Sequence, residues 1–130
     1  MLIHRNLPIA HSIDVLATHP SLAQMCFPRD VCDPSEGEDQ FATILSLAGD
    51  SSQLGEWAWH NFLFSLYPCV IPRRVFELCS EPCPEGVGIE AWLTGLLTRQ
   101  DKWFGIWGRP GEPTYAAHIG YASRSQGYRW

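Results

Sequence analysis

The chain has 130 residues, enough for one domain with a single core, and its 45% hydrophobic and 18% charged residues exclude a disordered chain. A net charge of −5, with a single lysine, excludes a general phosphate binder, which needs clustered Lys and Arg. No window approaches the roughly 18 apolar residues that cross a bilayer, and His4, Arg5 and Asn6 interrupt the start too early for an export signal.

These features predict a soluble protein of a reducing, cytoplasmic compartment. The cysteine count agrees: Cys26, Cys32, Cys69, Cys79 and Cys83 are odd in number, which suits free thiols better than a disulfide framework. Charge is uneven along the chain. Residues 1–100 carry −7 and residues 101–130 carry +2, an asymmetry that points to partner contact through one end, against the plainer reading of a solvated acidic face.

In chain order, residues 9–18 and 20–26 read as short helices divided by His19-Pro20, and 27–35 as an acidic loop. Ser35 and Glu38 have capping-box spacing and predict a helix over 36–48. Phe41, Ile44, Leu45 and Ala48 form its apolar face, and Gly49 is its expected left-handed stop. Asp50 and Gln53 repeat that capping pattern before LGEWAWHNFLFSLY, which predicts a second helix ending at Pro68. Leu54, Ala58, Phe62 and Leu66 make one row on it, and Trp57, Trp59, Leu63 and Phe64 widen that row almost around the axis. Only Gln53, Glu56 and His60 leave a polar strip. A helix this apolar belongs at the centre of its domain.

Pro72 opens a short third helix with Val75, Leu78 and Cys79 inward. Trp92, Leu93, Leu96 and Leu97 predict a fourth over 88–99. For 101–107 two readings compete. Trp103, Phe104 and Trp107 continue the helical stripe, whereas the polar run TRQDK and Gly105 interrupt it. We favour strands near 103–107 and 114–121 around RPGE, whose Pro-Gly suits a type II turn. The expected fold is therefore α+β: one domain over residues 1–130, with a core of about four helices and a C-terminal β-hairpin, all-α being the alternative.

Four candidate sites follow. Cys79 and Cys83, with Cys26 and Cys32, have the ligand number of a structural zinc site but not the tight Cys-x2-Cys spacing, so they read as reduced core thiols and no metal or cofactor is expected. Glu56 and His60, four apart on a helix, could orient an imidazole as a general base, with Cys69 as an imagined nucleophile. The plainer reading is a surface pair. The acidic residues Asp30, Asp33, Glu36, Glu38 and Asp39 could meet a basic partner, or even imitate a phosphate backbone, although helix capping accounts for several of them.

The fourth is the aromatic, arginine-bearing tail: Trp103, Phe104, Trp107, Tyr115, Tyr121, Arg124, Tyr128, Arg129 and Trp130. Large rings with arginine are what interface hot spots are built from. Stacking on single-stranded nucleic acid is disfavoured by the weak positive charge. With no catalytic motif and no family signature, the leading expectation is a small acidic protein acting by stoichiometric protein–protein binding, as an inhibitor, immunity-type protein or adaptor. Its contact residues would be Trp103, Trp107, Tyr121, Arg124, Tyr128, Arg129 and Trp130, with Glu36 and Asp39 steering association. The alternatives are a small enzyme using Glu56 and His60, or a zinc-stabilised module.

Overall fold

The computed structural model describes residues 2–3, 5–30, 40–66 and 68–117. The domain is a mixed α+β fold organised around a five-stranded sheet, not a helical core with an appended hairpin. The elements are β1 (Leu2–Ile3), α1 (Ile9–Thr18), β2 (Leu22–Cys26), β3 (Arg29–Asp30), α2 (Gln40–Leu47), β4 (Ser51–Leu54), β5 (Trp57–His60), β6 (Cys69–Val70), α3 (Arg73–Glu77), α4 (Ile89–Thr98), β7 (Trp103–Trp107) and β8 (Ala116–Ala117). The large sheet has the order β4-β5-β7-β2-β6, with β2 and β7 parallel and the other pairs antiparallel. A small second sheet has the order β1-β8-β3.

The largest correction concerns residues 51–66. Where one central helix was expected, β4 and β5 form a hairpin that pairs Leu54 with Trp57 through the two-residue connection Gly55-Glu56. Gly55 has φ of 75°, which a type II′ turn requires at its first central position and a side chain would resist. The strand then alternates: Trp57 and Trp59 face one side of the sheet, Ala58 and His60 the other. Asp50 does not cap a helix. Its N–H donates to Asn61 Oδ1 (2.9 Å) and its carbonyl accepts from Asn61 N–H (3.2 Å), closing the base of the hairpin.

Two further expectations are overturned. Residues 22–26 are a buried central strand rather than a helix, an assignment that a short, mainly apolar run leaves open. The RPGE turn does form, with the Glu112 N–H donating to the Arg109 carbonyl (3.2 Å), but it does not join a hairpin. β7 pairs with β5 and β2 at the centre of the large sheet, while β8 joins the small one. Gly49 is not left-handed either.

The helical stripes place correctly. α1 matches the expected 9–18, and α4 buries Leu93, Leu96 and Leu97. α3 follows Pro72 with Val75 buried. α2 buries Phe41 and packs Ile44 and Leu45 onto Ala58 and Ile106, while the capping residues Ser35 and Glu38 lie outside the described residues. One sheet face carries Leu22, Met25, Phe27, Trp57 and Trp107 beneath Leu16 of α1. The opposite face carries Ala23 and Phe104 beneath Val75, Leu93, Leu97 and Phe64. The sheet is thus covered on both sides.

Candidate functional site

One end of the α1-covered face stays open. β7 presents Trp103, Gly105 and Trp107 to that face, and β5 presents Trp57 and Trp59. Trp59 lies opposite Gly105, which has no side chain, so its indole reaches diagonally to Trp103. The two rings stack with centroids 4.2 Å apart and planes 21° from parallel. Gly105 is required for another reason: a Cβ there would lie 2.8 Å from Met25 Cε and 2.9 Å from the Gln24 carbonyl oxygen.

The stacked pair forms one wall of a cleft of about 280 Å³. Leu54 and Trp57 line it from the hairpin, and Thr18, His19, Pro20, Ser21 and Leu22 line it from the α1–β2 connection. Leu54 is 44% exposed and Trp103 40%, so the cleft opens onto an apolar surface. His19 stands edge-on to Trp57 (5.0 Å, 72°) and is fixed in turn through Nδ1 to the Val15 carbonyl (2.9 Å). Among the described residues no carboxylate lines the cleft.

The rim is held from behind by Arg74. Its Nη2 donates to the carbonyls of Leu16 (2.8 Å), Leu22 (3.2 Å) and His19 (3.5 Å), satisfying acceptors at the end of α1 and just beyond it. Lys102 Nζ reaches the Pro20 carbonyl (3.3 Å). Neither cation was legible as a rim support, because the role of Arg74 depends on where α1 ends in space.

The expected contact residues separate. Trp103 is exposed in the cleft. Trp107 is 6% exposed, packed with Leu16, Phe27 and Trp57, and belongs to the core. Tyr115 is buried as well, edge-on to Phe27 (5.9 Å) and beneath the Arg5 guanidinium (4.5 Å to its centroid). Tyr121, Arg124, Tyr128, Arg129, Trp130, Glu36 and Asp39 lie outside the described residues, as do Asp33 and Glu38.

Glu56 and His60 do not share a helix face. Glu56 sits in the exposed β4–β5 turn, 3.9 Å from His11, whereas His60 closes β5 at 3% exposure. Burial lowers the His60 pKa to about 4, and its Nδ1 accepts the Phe62 N–H (3.3 Å), so the ring is neutral near pH 7. The void beside it is about 10 Å³, room for one water at most.

Among the described residues, Cys26, Cys79 and Cys83 do not gather as metal ligands. Cys79 donates to the Val75 carbonyl (3.4 Å) and Cys83 to those of Val87 (3.5 Å) and Pro84 (3.7 Å), while Cys26 faces Cys69 across β2 and β6. Cys32 lies outside the described residues. Among the described residues no group of three or more His, Cys, Asp or Glu side chains is placed to hold a metal ion, and no helix is long and apolar enough to cross a membrane. No family model, curated protein or solved structure matches the chain.

Proposed function

We propose that the protein acts by stoichiometric binding, and that its tryptophan-walled cleft receives one large apolar side chain from a protein partner. The observation that carries this reading is Trp103: a ring stacked on Trp59 yet 40% exposed, beside an exposed Leu54, at the mouth of a 280 Å³ recess. Hydration of that surface is unfavourable at about 25 cal/mol per Å², and a partner side chain would displace that water. Pre-stacked indoles lose little rotamer entropy on binding, which is why such rings serve as hot spots. The cleft lies just below the usual volume range of small-molecule sites and suits a single side chain better. Its lining of rings, hydroxyls and one imidazole asks for an uncharged group.

An inhibitor, immunity-type protein or adaptor of a reducing cytoplasmic compartment fits this mode of action. The net charge of −5 favours encounter with a basic partner. The test compares wild type, Trp103→Ala and the exposed control Ile13→Ala as baits in the native cell type, followed by titration of any protein common to wild type and control. The reading requires a 1:1 complex that Trp103→Ala weakens at least fivefold. A partner bound equally by all three baits overturns it.

A further inference from the structure

The second chemically loaded place in the fold is the pair Cys26 and Cys69. They are directly opposed on the antiparallel strands β2 and β6. One step further on, the Phe27 N–H donates to the Pro68 carbonyl (2.8 Å), which makes 27/68 the hydrogen-bonded pair of that ladder. Bonded and non-bonded pairs alternate, so Cys26 and Cys69 occupy a non-hydrogen-bonded pair, where opposing Cα atoms stand about 4.5 Å apart and side chains converge. That spacing falls inside the roughly 4.4–6.8 Å that a disulfide spans. Both sulfurs also converge on one acceptor, the Ser65 carbonyl, at 3.8 Å each.

We propose that Cys26 and Cys69 are a thiol-modification site that closes reversibly to a disulfide by exchange with a low-molecular-weight disulfide of the glutathione class. The two thiols are unequal. The interaction between the two sulfurs holds Cys69 below and Cys26 well above the ordinary thiol range, with burial adding to the rise at Cys26. Cys69 is half-buried and Cys26 buried, so Cys69 is also the reachable sulfur. The Cys69 thiolate attacks one sulfur of the incoming disulfide RSSR, forming a mixed disulfide and expelling RS⁻. With Cys69 no longer anionic, the charge that opposed ionisation of Cys26 is gone. Cys26 gives up its proton and attacks the Cys69 sulfur, releasing the second RS⁻. The protein loses two protons and two electrons, and RSSR becomes two RSH. The Ser65 carbonyl keeps its bond from Gln24 (2.7 Å) when both thiols leave it, so closure leaves no buried acceptor bare. The product would tie the two-residue edge strand β6 to the sheet interior.

The experiment equilibrates the reduced full-length protein over a series of oxidised-to-reduced glutathione ratios, then alkylates free thiols and maps them by mass spectrometry. The expected result is joint, reversible protection of Cys26 and Cys69, a mass lower by two hydrogens, and a melting midpoint raised by several degrees. Cys26→Ser should instead trap a stable glutathione adduct on Cys69, and Cys69→Ser should leave Cys26 free to alkylation. Because either variant could fail to fold, the wild-type map decides. Cys26 and Cys69 both remaining alkylatable across the series, or either pairing with another cysteine, overturns the proposal.

Discussion

Gln24 and Ser65 exchange two buried hydrogen bonds: the Gln24 carboxamide donates to the Ser65 carbonyl (2.7 Å) and accepts from its N–H (2.8 Å). The pair resolves how residues 61–66 cross a sheet face without regular structure. A buried irregular segment must still satisfy its backbone polar groups. Here side chains supply the partners. Phe64 N–H donates to Thr94 Oγ1 (2.9 Å) and Leu66 N–H to Glu90 Oε1 (2.7 Å), so α4 and β2 together hold the segment in place.

Gln24→Leu keeps the volume but removes both carboxamide hydrogen bonds to the Ser65 backbone. A lost intramolecular hydrogen bond costs about 0.5–1.5 kcal/mol, so removing two should lower stability by about 1–3 kcal/mol, seen as a lower denaturant midpoint at unchanged slope. A loss below about 0.5 kcal/mol would show that water replaces the carboxamide without penalty.

Stability should fall in mild acid because of His60. Its folded pKa of about 4 lies below its ordinary value of 6.5, so the unfolded chain binds the proton more readily. The His60 contribution is therefore complete above pH 6.5, declines as pH falls toward 4 and is constant below that. Its full size is on the order of 3 kcal/mol. Unfolding free energies of wild type and His60→Asn, measured from pH 7 to 4, should converge by about that amount. Parallel curves would mean that the imidazole is not held neutral.

The two tryptophans at the ends of β7 should respond differently to truncation. Trp107→Ala removes a core ring and is expected to cost about 3–5 kcal/mol. Trp103→Ala removes a stacked ring that is 40% exposed, which should cost clearly less than the core ring. Thermal denaturation of both variants decides it, and equal losses would place Trp103 in the core.

Gly105→Ala should destabilise by about 1–3 kcal/mol, because the added methyl meets both Met25 and the Gln24 carbonyl. Adding Met25→Ala should not restore stability, since the backbone oxygen cannot withdraw. Full rescue by the second substitution would show that the side chain alone sets the restriction.

The helices at 9–18, 73–77 and 89–98 were legible because each is bounded by Pro, Gly or a polar break and carries its own apolar stripe. Residues 51–66 were misread for an identifiable reason. LGEWAWHNFLFSLY is apolar at about two positions in three, spaced so that a helical row and a strand alternation both fit it, and the hairpin signal is a lone glycine at 55. The cleft was half visible. Trp103 was named as a contact residue, but Trp57 and Trp59 were assigned to a buried helix and His19 to a break between helices. Cys69 was noticed, though not its opposition to Cys26, which depends on strand register.

By itself, the sequence determined the acidic charge, the helices with self-contained stripes and the Pro-Gly turn, because each depends on composition or on residues within a few positions of one another. Strand order, the pairing of β7 with β5 and β2, the gap at Gly105 that lets two indoles stack, and the meeting of Cys26 with Cys69 were decided only by tertiary structure. Those features join residues tens of positions apart, and sheet register is selected by burial on both faces at once, which no local pattern encodes.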